Sequence, residues 1–149
     1  QAGFHEVKMP YLAIERVDDG SGIVRLQQVS FFPNSIGFGN TGGVPSGGTV
    51  GLLGPGNTSV GFRVPADQKI MGVSLQVNVV DATRAYSLSI RVNGVEVGTL
   101  ALPVSTIGNQ NAALDIPLVT GDVVTLFMVR TSGAQASTFT QMRAQLLVG

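Results

Sequence analysis

Hydrophobic and polar residues alternate along most of the chain with the period of two that is typical of β-strands. The alternation is clearest from Ser59 onward, where Gly, Pro, Asn and Asp interrupt it about every 8–12 residues. Antiparallel strands at this spacing favour a β-sandwich or jelly roll over a parallel sheet, so we predict an all-β fold. The alternating stretches are residues 60–64, 73–79, 86–92, 95–100, 114–118, 123–129 and 142–148.

The dipeptide Asn93-Gly94 lies between two of these stretches, directly after Val92 and before Val95. Both central positions of a type I′ turn need a positive φ, which Asn and Gly adopt more easily than other residues. The sequence therefore predicts a tight β-hairpin here.

One predicted strand, residues 123–129, is apolar on both of its faces. An antiparallel sandwich buries one face of each strand in its core, so the other face needs a separate cover. We expect Val123, Thr125 and Phe127 to be covered either by a second subunit or by an arm or loop of the same chain.

The first part of the chain has a different pattern. Residues 11–17 and 23–32 are strand-like and flank the turn residues 18–22, which predicts a hairpin. We interpret residues 1–36 as an arm that docks on a neighbour. Its candidate assembly contacts are the large apolar side chains Phe4, Tyr11, Leu12, Ile14, Phe31 and Phe32.

The next segment, residues 37–58, is dominated by Gly, Ser, Thr, Asn and Pro. Such a composition offers few apolar groups for packing, so we predict a Gly-rich loop. Residues 59–149 then form the predicted jelly-roll core.

Charged residues make up only 12% of the chain and hydrophobic residues 44%, and nine basic and nine acidic side chains cancel. An average soluble domain is about a quarter charged. A surface with so little charge favours association, so we expect partner subunits to cover part of it. The neutral balance argues against nucleic acid as a partner, and no apolar run is long enough to predict a membrane span.

Candidate catalytic and ligand-binding motifs are weak. The chain has no cysteine, its one histidine is His5, and the run GFGNTG at 37–42 is followed by Gly and Pro rather than a helix. Asp67, Asp81 and Asp122 lie beside turn residues, where Asp bonds its own backbone. We therefore predict a non-enzymatic protein with no catalytic, cofactor-binding or metal-binding residues and no cofactor.

Several short runs from residue 59 onward belong to a recognisable layout: FRVPAD at 62–67, GVSL at 72–75, VNGV at 92–95, TGDVVT at 120–125 and STFTQMRA at 137–144. This layout resembles the trimeric jelly-roll (TNF-like) domains of tailed-bacteriophage virions. Such domains occur in capsid decoration proteins and in the heads of tail fibres.

The resemblance implies a homotrimer on the capsid surface of a virion. In this role the protein would bind the major capsid protein and stabilise the phage head, with neither nucleic acid nor membrane as a partner. The alternative that it implies is the receptor-binding head of a tail fibre or a bacterial surface filament, whose partner would be a host receptor.

Overall fold

The computed structural model describes residues 8–9, 12–18, 24–30, 34–56 and 59–149, with side chains from residue 34 onward within these ranges. Every regular element in the described ranges is a β-strand. Within them, no helix is long and apolar enough to cross a membrane. The chain divides into two units, residues 1–34 with Gly149 and residues 35–148.

The first unit contains β1 (Lys8–Met9), β2 (Leu12–Asp18) and β3 (Val24–Ser30), in the order β1-β2-β3. Strands β2 and β3 are antiparallel, with Leu12 opposite Ser30 and Asp18 opposite Val24. The predicted hairpin is thus confirmed in its two strands. Its role as a docking arm stays a prediction.

The candidate contacts in this unit fall outside what the structure describes. Phe4, Tyr11, Phe31 and Phe32 are not among the described residues. Leu12 and Ile14 lie on β2, but their side chains are not described either.

The second unit is an antiparallel β-sandwich. Sheet I has the order β10-β7-β13-β4, and β11 also pairs with β7; sheet II has the order β5-β12-β8-β9, and β6 also pairs with β12. The strands are β4 (Asn34–Asn40), β5 (Thr49–Gly51), β6 (Phe62–Arg63), β7 (Gln68–Val77), β8 (Tyr86–Val92), β9 (Val95–Leu102), β10 (Gly108–Asn111), β11 (Ile116–Leu118), β12 (Val123–Arg130) and β13 (Met142–Val148).

The core lies between the two sheets and includes many of the apolar side chains predicted from the alternation, whereas Val79, Val95 and Val97 are exposed. Sheet II contributes Leu126 and Leu88, and sheet I contributes Leu75 and Leu146, all almost completely buried. Each strand therefore turns its apolar face inward, as expected for a sandwich. The all-β prediction is confirmed.

The predicted hairpin at Asn93-Gly94 is also confirmed. Both residues have positive φ, 52° and 82°, as a type I′ turn requires. The turn pairs Val92 with Val95, which fixes the register of β8 against β9.

The prediction of a loop over residues 37–58 is wrong at residues 37–40 and 49–51, which lie in strands. Strand β4 runs to Asn40 beside β13, and β5 pairs with β12. Phe38, Val44 and Leu52 are buried in the core. A few well-spaced apolar side chains and short stretches of strand pairing hold this Gly-rich segment against the sheets.

Candidate functional site

Three features of the second unit bear on function: the outer face of sheet II, one end of the sandwich, and a groove on sheet I. On sheet II, the predicted contact residues Val123, Thr125 and Phe127 do lie on one face of β12. They are half-buried, while the residues between them point into the core.

The chain itself covers part of this face. The guanidinium carbon of Arg91 lies 4.2 Å from the centre of the Phe127 ring, a cation–π contact. On the other side, Gly51 faces Phe127 so closely that an added Cβ would lie 3.4 Å from the ring. Phe127 was expected to be covered either by a second subunit or by the same chain. Arg91 and Gly51 of the same chain cover at least part of its ring.

A short polar network lies beside Phe127. The Ser89 hydroxyl donates to Oε1 of Glu96 at 2.7 Å, and Arg91 Nε donates to the Ser89 hydroxyl at 3.2 Å. Ser89 is only 1% exposed. The network holds Arg91 over the aromatic ring. The charged groups of Arg91 and Glu96 therefore already have partners within the chain. Contact between Val123, Thr125 or Phe127 and a second subunit stays a prediction.

One end of the sandwich exposes a group of apolar side chains, which we call the end patch: Val79, Val80, Val104 and Ile107. Their side chains are 41–46% exposed. Backbone hydrogen bonds join their two loops, from Ser105 N to Asp81 O and from Val77 N to Ile107 O, both 2.8 Å. The four residues thus form one surface, and clustered exposed apolar groups are typical of a contact site.

Beneath the end patch lies a buried carboxylate, Asp81, which is 3% exposed. It accepts hydrogen bonds from the Tyr86 hydroxyl at 2.6 Å, the Thr83 amide at 3.1 Å and the Thr138 amide at 3.4 Å. Arg84 completes an ion pair with it at 3.1 Å. Asp81 therefore ties the loop before β8 to the loop before β13 and stiffens this end of the molecule.

The environment of Asp81 shifts two pKa values in opposite directions. Burial disfavours the charged carboxylate, but hydrogen bonds from Tyr86, Thr83, Arg84 and Thr138 outweigh it and lower the pKa of Asp81 well below its usual value. Burial, together with the neighbouring carboxylate, raises the pKa of Tyr86 far above its usual value. At neutral pH, Asp81 is ionised and Tyr86 is protonated.

A groove of about 830 Å³ crosses sheet I near the same end. Its walls include Gly37 and Gly39 of β4, Gln76 of β7, Ile107, and Arg143 of β13. Arg143 and Gln76 are directly opposite each other on neighbouring strands. Neither Asp nor Glu is among the described residues that line the groove.

Within residues 34–56 and 59–149, Arg143 is the basic residue whose side chain has no hydrogen bond, ion pair or ring contact. The others are engaged as follows: Arg63 with the Gly121 carbonyl, Lys69 with Asp115, Arg84 with Asp81, Arg91 with Phe127, and Arg130 with the Ser46 and Gln135 carbonyls.

The remaining candidate acidic residues act in turns and between loops. Asp122 accepts from the amide of nearby Val119, as predicted, but Asp67 accepts from the amide and hydroxyl of Thr120, far along the chain. Those bonds lower the pKa of Asp67. Among the described residues, no group of three or more His, Cys, Asp or Glu side chains could hold a metal ion. His5 lies outside them.

The run GFGNTG at 37–42 occupies the end of β4 and the turn after it, and no helix follows it within residues 43–56. No pattern in the sequence indicates the groove, because Gly37, Gln76 and Arg143 meet only through strand pairing.

No protein-family model and no curated protein matches this chain.

Proposed function

We propose that the protein is a non-enzymatic structural component of a tailed-phage virion, a capsid decoration protein that forms a homotrimer and binds the major capsid protein. The end patch is the observation that carries this proposal. Its position on loops fixed by Asp81 gives a partner a preformed apolar surface, and preformed surfaces lose less entropy on binding.

The order of strand pairing supports a jelly roll for the second unit. When β5 with β6 and β10 with β11 are each taken as one interrupted strand, β4 pairs with β13, β5/β6 with β12, β7 with β10/β11, and β8 with β9. Along the sequence, the two strands of each pair lie between the two strands of the pair before it. A chain paired in this way and wrapped into two sheets gives the double Greek key of a jelly roll.

The distribution of charge supports assembly as well. Most charged side chains of the second unit are held by partners in the same chain, and Arg143 is the basic residue left unpaired among the described residues. Surfaces with few free charges lose little solvation when a neighbouring subunit covers them.

Sedimentation velocity of the purified chain tests the assembly. We expect a trimer, and we expect Val79→Asp to weaken it because a carboxylate in the end patch would lose its hydration at the contact. Val95→Asp is the matched control, since Val95 is 66% exposed at the hairpin turn on the opposite end of β8. A monomer at high concentration would contradict the proposal.

Binding to capsids tests whether the protein is located on the capsid surface. We expect a chain without residues 1–32 to lose binding to capsids that lack the native protein, while its sedimentation still shows a trimer. Equal binding by the shortened chain would contradict a docking role for the first unit.

A second candidate is the receptor-binding head of a tail fibre. The groove beside Arg143 favours it, because an unpaired cation in a concave surface is suited to recognising an external group. Binding of the labelled protein to host cells, with no binding to capsids, would favour this candidate over the first.

A further inference from the structure

We propose that the groove between β4 and Arg143 binds an acidic saccharide, with the guanidinium of Arg143 holding the sugar carboxylate. This inference does not depend on the capsid proposal, since the groove lies within one chain and needs no second copy to be complete.

The floor of the groove is unusual for a strand. Gly37 and Gly39 alternate with the buried Ile36 and Phe38, so both glycines lie on the outer side of β4. A Cβ at Gly37 would meet nothing within 4 Å, and neither glycine has positive φ. Neither the backbone conformation nor internal packing therefore explains Gly37.

Glycine within a strand weakens the strand, and it often marks a place where a ligand or another backbone approaches closely. On β4 the missing side chains leave a trough beside Arg143. A flat ligand can reach the backbone of the trough without a steric barrier.

The charge of the groove indicates an anion. Arg143 is exposed and unpaired among the described residues, and the lining contains no carboxylate that could neutralise it. A guanidinium can hold a carboxylate through two parallel hydrogen bonds. A single cation matches a ligand with one negative charge better than a polyanion.

The other lining groups match the rest of a sugar ring. The side-chain amide of Gln141 has no hydrogen-bond partner among the described residues, and the side-chain amide of Gln76 makes only a long contact of 3.5 Å to Val77 O. Each amide offers both a donor and an acceptor, which suits hydroxyl groups. Leu53, which is half-buried, adds an apolar wall, against which the C–H face of a ring can pack.

A glycan array tests the proposal directly. It should carry oligosaccharides with uronic or sialic acids, their neutral counterparts and their sulfated counterparts. We expect binding to the carboxylated glycans and much weaker binding to the others. Titration of the 15N-labelled protein with sodium glucuronate should shift the backbone amide signals of Gly37, Gly39 and Gln76, whereas glucose should leave them in place.

Two substitutions tie the binding to the groove. Arg143→Gln should weaken affinity by about tenfold or more, because it removes charge-assisted hydrogen bonds. Gly37→Val should block the trough while keeping or raising stability, because valine favours strands and its Cβ has free space. Arg63→Gln, which removes an equally exposed arginine outside the groove lining, is the control and should bind normally.

Three results would overturn the proposal. The first is an absence of binding to every carboxylated glycan and of any glucuronate-induced shift. The second is a preference for sulfated glycans, or binding that Arg143→Gln does not change. The third is a change of oligomeric state in Arg143→Gln, which would show that the groove is a contact between subunits rather than a saccharide site. A trimer that binds no glycan would leave the capsid proposal intact.

Discussion

Replacing Asp81 with Asn should destabilise the protein more than any other single charge removal. The amide keeps the size of the carboxylate but loses its charge, and it places an NH₂ group where the carboxylate accepted hydrogen bonds. Arg84, whose side chain is only 14% exposed, then lacks its counterion. The Tyr86 hydroxyl and the Thr138 amide, which both donate to Oδ2, lose an ionised acceptor.

The size of the effect follows from these contacts. Removing one partner of a buried ion pair costs about 3–5 kcal/mol, and a hydrogen bond to a charged group contributes about 1.5–3 kcal/mol. We therefore expect Asp81→Asn to lower the free energy of unfolding by about 3–5 kcal/mol. For a domain near 150 residues this corresponds to a fall in Tm of roughly 6–20 °C.

Urea unfolding followed by far-UV circular dichroism measures this difference, with equal m-values showing that the change is one of stability. Asp115→Asn is the matched control. Asp115 pairs with Lys69 at 3.0 Å, but both side chains are more than half exposed. Exposed pairs contribute about 0–1 kcal/mol, so the control should stay close to the parent protein.

The pH dependence gives a second, independent measurement. Because the pKa of Asp81 is lowered in the folded state, its contribution is complete above the unfolded value of about 4 and is lost as pH falls below it. The parent protein should lose stability in this acid range, and Asp81→Asn should lose less. Equal stability of Asp81→Asn and Asp115→Asn at pH 7 would refute the reasoning.

Three further predictions concern single residues. The raised pKa of Tyr86 means that its contribution is present below about pH 10 and is lost as pH rises above that value, so Tyr86→Phe should show a flatter alkaline limb in urea unfolding at pH 9–11.5. Gly43→Ala should cost at least about 1–2 kcal/mol in urea unfolding, since φ is +64° and the new Cβ would collide with the Phe139 carbonyl oxygen, whereas Gly37→Ala should be neutral or stabilising in the same experiment. Leu126→Ala should cost about 2–5 kcal/mol by denaturant titration because Leu126 is fully buried, and a cost under 1 kcal/mol would contradict its place in the core.

The sandwich could be predicted from the sequence because several of its strands alternate cleanly. Leu88 and Ile90 of β8 and the Asn93-Gly94 turn carry local signals that depend only on neighbours in the chain. Strand β4 carries no such signal. Its outward positions are Gly37 and Gly39, so its composition is that of a loop although its inward side chains reach the core.

The features of the candidate site were harder to predict because they depend on residues far apart in the chain. The hydrogen bonds that Asp81 accepts from the Thr83 and Arg84 amides are local. The position of Asp81 beside turn residues predicted them. Its bond from Thr138 and the pairing of Gln76 with Arg143 arise only after the strands have paired. The contacts proposed for Val123, Thr125 and Phe127 stay predictions.

The position of β13 has a consequence for how the protein is made. This strand comes last in the sandwich, yet it lies between β4 and β7 in the middle of sheet I. Until the ribosome has released residues 142–148, those two strands lack their shared neighbour and half of the sandwich stays open. The sandwich therefore completes its folding only once β13 is available, through contacts between distant residues, which makes folding slow and leaves the open sandwich exposed to proteases and chaperones.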